Sequence, residues 1–255
     1  AADGASLVAE LGLANARIRQ GDILDLGDDL GEFDYIVTHG VYSWVPEVVQ
    51  ERILGLCAEH LAPGGVAYVS YNTLPGWRMR GTLRDALLYH VRGVEAPAER
   101  LARAREVLAR LDGALAGVDT LPARFLRQEI GYLRDAHPSY LYHEYLESRN
   151  EPLLVSEFVR RAGRHGLQYL GDTDLAGMFP ASAGAGVDPL IEGIEDQVEL
   201  EQYLDFVRNR GFRQTLLCRT ERDLGREIDL ETLERLAVFA SLEPPRKLDL
   251  RTTRP

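Results

Sequence analysis

The sequence predicts an α/β fold in which a doubly wound parallel sheet is interrupted by an inserted helical subdomain. Three observations carry this expectation. Strand and helix signals alternate over residues 1 to 76, strand signals stop between about Gly81 and Glu147, and the alternation returns from Ser156 to Cys218.

The chain opens with Ala1-Ala2-Asp3-Gly4-Ala5-Ser6-Leu7-Val8-Ala9-Glu10-Leu11-Gly12, where Leu7 and Leu11 lie one turn apart and Gly12 predicts a helix stop. Ala16, Ile18 and Gln20 then alternate with Arg17 and Arg19 before Gly21-Asp22-Ile23, the pattern of a short strand ending in a turn. Phe33 to Thr38 forms a second strand, and its continuous apolar middle predicts burial on both faces. Pro46 suits the first helical position with Glu47 beside it. Val49, Ile53, Leu56, Cys57 and Leu61 follow at helical spacing until Pro63-Gly64-Gly65, and a third strand spans Val66 to Tyr71. A strand, a helix and a strand so spaced make parallel neighbours joined by a right-handed crossover.

In the insert, Leu101, Ala104, Leu108, Leu111 and Leu115 form an apolar stripe, with Glu99, Arg103, Glu106 and Arg110 at salt-bridging offsets on other faces. The stripe lasts about two heptads, which favours a local core over a coiled coil. The α/β pattern resumes with a helix at Ser156 to His165 capped by Gly166 and a strand at Leu167 to Leu170. A glycine-rich loop at Ala181 to Val187, a helix at Leu200 to Arg210 capped by Gly211 and a last strand at Phe212 to Cys218 complete it. The expected division is 1–80 and 151–220 for the sheet, 81–150 for the insert, and a 221–255 tail in which Asp229 caps a helix over Leu233, Leu236 and Ala240.

Asp and Glu outnumber Lys and Arg by 40 to 29, a formal net charge of -11 that repels phosphate backbones and anionic lipid. Nucleic acid and membrane insertion are therefore not expected. No stretch reaches the run of about 18 apolar residues that spans a bilayer, and the opening residues lack an export pattern. Cys57 and Cys218 stand in apolar stretches far from any CxxC, so buried thiols in a reducing cytoplasm are expected, without a metal.

Several chemistries lack their motif. No GxSxG elbow and no GxxxxGK[ST] loop occur, and the sole lysine, Lys247, follows Glu243 rather than completing a YxxxK pair. Gly184-Ala185-Gly186 lacks the third glycine of a dinucleotide loop. His137 and His143-Glu144 lack HExxH spacing.

Three stretches acquire meaning through their order. Gly21-Asp22-Ile23 after a strand, Phe33-Asp34-Tyr35-Ile36-Val37 before a polar turn, and Leu61-Ala62-Pro63-Gly64-Gly65 before the next strand resemble motifs of class I S-adenosylmethionine-dependent methyltransferases. Longer strings are more specific: residues 38–46 (THGVYSWVP), 70–77 (SYNTLPGW), 139–147 (SYLYHEYLE) and 212–219 (FRQTLLCR). They resemble bacterial methyltransferases that carry a methyltransferase regulatory domain, a group that includes protein lysine methyltransferases. The resemblance covers about residues 1 to 220 and implies a Rossmann-like sheet ordered 3-2-1-4-5-7-6, of which this chain would hold the third to seventh strands. The first two strands, with the glycine-rich cofactor loop and the acid that holds the ribose, have no counterpart here, so the chain reads as a segment of a longer protein.

The resemblance implies S-adenosyl-L-methionine as cofactor, with Asp22 and Ile23 at the adenine and His39, Gly40 and Val41 in the turn after the next strand. It places the catalytic centre among His39, Tyr42, Tyr71 and Asn72. Tyr42, Trp44, Tyr142 and His143 are expected to meet the substrate, where aromatic rings would stabilise cationic species. The implied reaction is methylation of a protein or peptide amine of the lysine type. Two alternatives stand beside it: a regulatory, partner-binding module on a methyltransferase scaffold, and a methyltransferase of small molecules. Their discrimination lies in the acceptor pocket, which the sequence does not specify.

Overall fold

The computed structural model describes residues 1–184 and 186–225, together with Glu231, Glu234, Arg235 and Ala237. The chain divides into two compact units, Ala1–Arg222 and Asp223–Pro255, and the architecture below is that of the first. The tail helix expected from Asp229 over Leu233, Leu236 and Ala240 falls outside the described residues.

Four strands form one sheet: β1 (Phe33–Thr38), β2 (Leu61–Asn72), β3 (Leu167–Asp172) and β4 (Phe212–Arg219), in the order β1-β2-β4-β3. β1 and β2 are parallel, while β4 runs antiparallel between β2 and β3. This is the arrangement expected for the fourth, fifth, seventh and sixth strands of the family sheet. The helix α1 (Ala2–Glu10) stops at Gly12, which takes a left-handed φ of 64°.

The β1 to β2 crossover is α2 (Glu47–His60), which starts behind Pro46 as the sequence predicts. It lays Ile53, Leu54 and Cys57 on the sheet residues Ala67, Val69 and Leu217. Phe158 and Ala162 of α7 (Val155–Gly163) complete that core, and Phe158 stacks on Tyr71 with ring centroids 4.1 Å apart. Burying such a side chain stabilises by about 1.5–3 kcal/mol. Both cysteines are buried, as expected, and burial pushes the Cys57 thiol up to about 12.

Helix α9 (Gln197–Arg208) fastens the other end of the sheet through charge. Arg213 of β4 is fully buried and donates to Asp205 at 2.8 Å, to Glu201 at 2.7 Å and to Asp172 of β3 at 3.3 Å. Arg210 reaches Asp172 and Asp205, each at 3.4 Å. Every charge taken from water there is matched by a partner, as buried ions require. α9 ends at Arg208 rather than Arg210, because Asn209 takes the left-handed turn (φ 49°) expected of Gly211.

The insert holds α3 (Leu74–His90), α4 (Pro97–Leu115), α5 (Leu121–Asp135) and α6 (Pro138–Leu141), which continues as a π-helical turn over Tyr142–Leu146. Its separate core gathers Leu83, Leu87, Ala104, Leu108, Ile130 and Leu133, so the predicted stripe of α4 is indeed internal. The two ends of the insert meet. Leu74 N–H donates to Leu153 carbonyl at 3.1 Å and Leu153 N–H to Asn72 carbonyl at 3.0 Å.

Two expectations fail. No strand forms over Ala16–Gln20, because β1 pairs with β2 alone and no described strand lies beside that segment to take its backbone hydrogen bonds. β1 is also not buried on both faces: Tyr35 is 75% and Val37 67% exposed, on the face of the sheet turned away from α2. A short helix, α8 (Asp188–Ile191), lies in the connection before α9.

Candidate functional site at the carboxyl ends of β1 and β2

In an open α/β sheet, ligands settle outside the carboxyl ends of the parallel strands. Here that place is bounded by the turn after β1, the end of β2 and the insert. The turn is built by backbone capture. Gly40 takes a left-handed φ of 69°, which lets its N–H donate to Ser70 Oγ at 2.8 Å. Ser43 holds the next loop against β2, its Oγ accepting from Asn72 N–H at 2.8 Å. Gln50 of α2, fully buried, donates to the carbonyls of Tyr42 at 2.9 Å and Val45 at 3.3 Å while accepting from Arg161 at 3.0 Å.

His39 is exposed at the tip, with Nδ1 2.7 Å from the Tyr68 hydroxyl and its ring edge-on to Phe212. Burial raises the Tyr68 phenol above its ordinary value, so the hydroxyl keeps its proton and can donate to Nδ1. Nε2 then remains for a ligand or water.

Asn72 ends β2 with its side-chain NH2 donated to Asn150 Oδ1 at 2.9 Å. Its side-chain Oδ1 has no protein partner among the described residues and is not among the fully occluded polar atoms. Asn150 thus fixes the amide plane and leaves an acceptor at the strand end.

The insert reaches this rim through its π-helical turn. His143 lies 4.5 Å from the Trp44 ring, Trp44 meets Trp77 edge-to-face at 6.5 Å, and Trp77 contacts Tyr145 at 5.8 Å. Behind them the Tyr145 hydroxyl donates to Glu129 at 3.1 Å, and Arg80 pairs with Glu129 at 3.2 Å. Burial raises the carboxyl of Glu144, and the charge of neighbouring His143 partly opposes it. A π-turn is an uncommon element, used here to present consecutive polar and aromatic groups to the other half.

The structure therefore gathers His39, Gly40, Trp44, Asn72 and His143 around one end of the sheet, with Val41 exposed in the same turn. It does not bring Tyr42 and Tyr71 there. Tyr42 is fully enclosed against Phe158 and Tyr71, and Tyr71 binds Thr215 at 3.1 Å inside the core. Burial lifts both phenols, that of Tyr42 to about 12, so neither can serve as a base near neutrality. Tyr142 is half-buried and packs against the core of the insert. The Tyr42 and Tyr71 assignments are corrected: these two rings fill the interior under the loop.

Asp22 and Ile23 lie on an open stretch beside β1. One Asp22 oxygen accepts Leu24 N–H at 2.9 Å, capping a short helical turn, and the other has no partner among the described residues. The Ile23 N–H makes no hydrogen bond among the described residues. A hydrogen-bond acceptor and a donor on successive residues suit the edge of an adenine, so this pair fits that end of the implied cofactor. Ile23 also lines an apolar cavity of about 320 Å³ with Ile36, Thr38 and Ile53. Sequence reasoning missed Ser43, Gln50, Ser70 and Asn150, which position the rest. Gln50 carried a signal, as a polar residue beside the apolar helix positions Val49 and Ile53.

A family profile described as "Predicted methyltransferase regulatory domain" matches residues 137–219. An uncharacterized protein of Rickettsia prowazekii is 37% identical over 94% of this chain and 44% of its own length. A second from the same organism is 35% identical over 66% of this chain and 67% of its own. Among solved structures, PKMT2 from Rickettsia typhi aligns at 39% identity and a TM-score of 0.81, over 90% of this chain and 44% of that one. The same protein in complex with AdoHcy aligns at 38% identity and TM-score 0.81, over 91% and 44% of the two chains. The chain thus spans less than half the length of PKMT2 and of the first Rickettsia prowazekii relative.

Proposed function

The chain belongs to the class I S-adenosylmethionine-dependent methyltransferases that carry a regulatory domain, and from that premise we propose that it takes part in methylating a protein or peptide amine of the lysine type. The observation that carries the reading is the convergence of His39, Asn72 and the Trp44–His143 contact at the carboxyl ends of two parallel strands. The AdoHcy complex of PKMT2 supports S-adenosyl-L-methionine as the cofactor. When bound, that cofactor supplies an electrophilic methyl group on a sulfonium.

The residues of this chain would then align and desolvate a neutral amine, which is most of what an in-line displacement asks of a protein. The Asn72 side-chain Oδ1, its amide plane held by Asn150, accepts one amine N–H and points the lone pair. His39 Nε2 receives the proton released as the C–N bond forms. Trp44 and His143 wall the acceptor chain, the Trp44 face favouring the positive charge that develops on the nitrogen before its proton leaves. Asp22 and Ile23 hold the adenine edge, as the resemblance implies.

Calorimetric titration with S-adenosylhomocysteine tests the cofactor half. We expect Asp22→Ala to weaken binding by about tenfold, the loss of a hydrogen bond to a charged group. Equal affinity of the variant and the parent protein would remove Asp22 from the site.

A further inference from the structure

We propose that the helical insert carries a second site, a binding pocket for a methylated ammonium group, between the end of α5 and the start of α6. A cavity of about 440 Å³ opens there, lined by Gly131, Tyr132, Asp135, Ala136, His137 and Tyr140. The rings of Tyr132 and Tyr140 stand at 86° to each other with centroids 5.5 Å apart, two adjoining walls of a box. Gly131 and Ala136 contribute almost no side chain, which leaves the interior open. The His137 ring is held by a 2.6 Å contact from Nδ1 to Ser139 Oγ. Asp135 sets a carboxylate at the rim; its partner Arg134 lies 3.4 Å away, with both side chains largely in solvent. No lysine or arginine lines the cavity.

Each feature selects the same chemistry. A methylated ammonium spreads its charge over methyl groups, sheds water readily and is drawn to the negative faces of aromatic rings. A primary ammonium holds its water through three N–H donors and gives it up at greater cost, whereas a trimethylated one has no donor to satisfy. Tyr132 is 55% exposed on α5, an aromatic ring that the insert core does not use. The site lies outside the carboxyl-end cluster and does not rest on the proposed reaction; joined to it, the pocket would read the class of product that the reaction makes.

The test is an NMR titration of the amide-labelled protein with three probes: N-acetyl-trimethyllysine amide, N-acetyl-lysine amide and the neutral tert-butyl isostere of the first. The trimethylated probe is expected to give saturable shifts at the Gly131 and Tyr132 amides, with affinity about threefold or more above both controls, the size of an exposed cation–π preference. Tyr132→Ala, at an exposed position, should abolish that preference without moving the thermal melt. Tyr140→Phe keeps the ring and should keep binding within about twofold. Equal affinity for the neutral isostere, shifts confined to other residues, an unaffected Tyr132→Ala or a loss in Tyr140→Phe would overturn the assignment.

Discussion

The two ends of the sheet are held by opposite means. At the β4–β3 end, Arg213 is enclosed with Asp172, Glu201 and Asp205, and the helix α9 is bound to the strands by ions that water never reaches. At the β1 end, Tyr35 and Val37 lie open to solvent although their sequence reads as a buried strand. The hydrophobicity of a strand thus states what it can bury against, and its neighbours decide whether it does. Conversely, a charged residue within a strand marks burial when enough carboxylates come to meet it.

The difference can be broken at its strongest point first. Arg213→Met leaves three carboxylates clustered without their main cation, and we expect a loss of about 3–5 kcal/mol, read as a collapse of the thermal melt. A melt within a degree of the parent protein would show that the cluster merely tolerates its arginine.

Between the two ends, Tyr71→Phe removes a hydroxyl that, among the described residues, is bound to Thr215. The expected cost is about 0.5–1.5 kcal/mol, with methyl transfer, once assayed, unchanged within about twofold. A large fall in turnover at unchanged stability would return Tyr71 to the catalytic group. The smallest effect belongs to the open end. Tyr35→Thr, three-quarters exposed on an edge strand, should shift stability by no more than about 0.5 kcal/mol in a denaturant titration. A larger loss would mean that this face is covered in solution.

The sheet was legible because its elements repeat a simple rhythm. Pro46 and Gly12 mark ends, and the apolar spacing of α2 and α4 names the faces that pack; Pro63-Gly64-Gly65, expected to separate α2 from the next strand, instead lies within β2, which starts at Leu61 directly after the helix. The short segment at Ala16–Gln20 misled, since alternation gives a strand its faces but not a partner for its backbone. In the candidate site, the residues at the strand ends, His39, Gly40 and Asn72, followed from the motif order. Tyr42 and Tyr71 did not, because an aromatic beside a loop looks alike in sequence whether it faces a ligand or a Phe158 contributed from more than eighty residues away. Asn150 was invisible for the same reason: its bond to Asn72 joins residues 78 positions apart.

One junction has a wider meaning. Thr73 and Leu153 lie side by side as a parallel bridge, so the whole helical insert enters and leaves the sheet through a single doorway. Joining those two residues directly would close the backbone with almost no loop entropy to overcome. The helical insert is therefore an excursion from one point of the sheet: its length and internal packing can vary while the strands on either side of the junction keep their register.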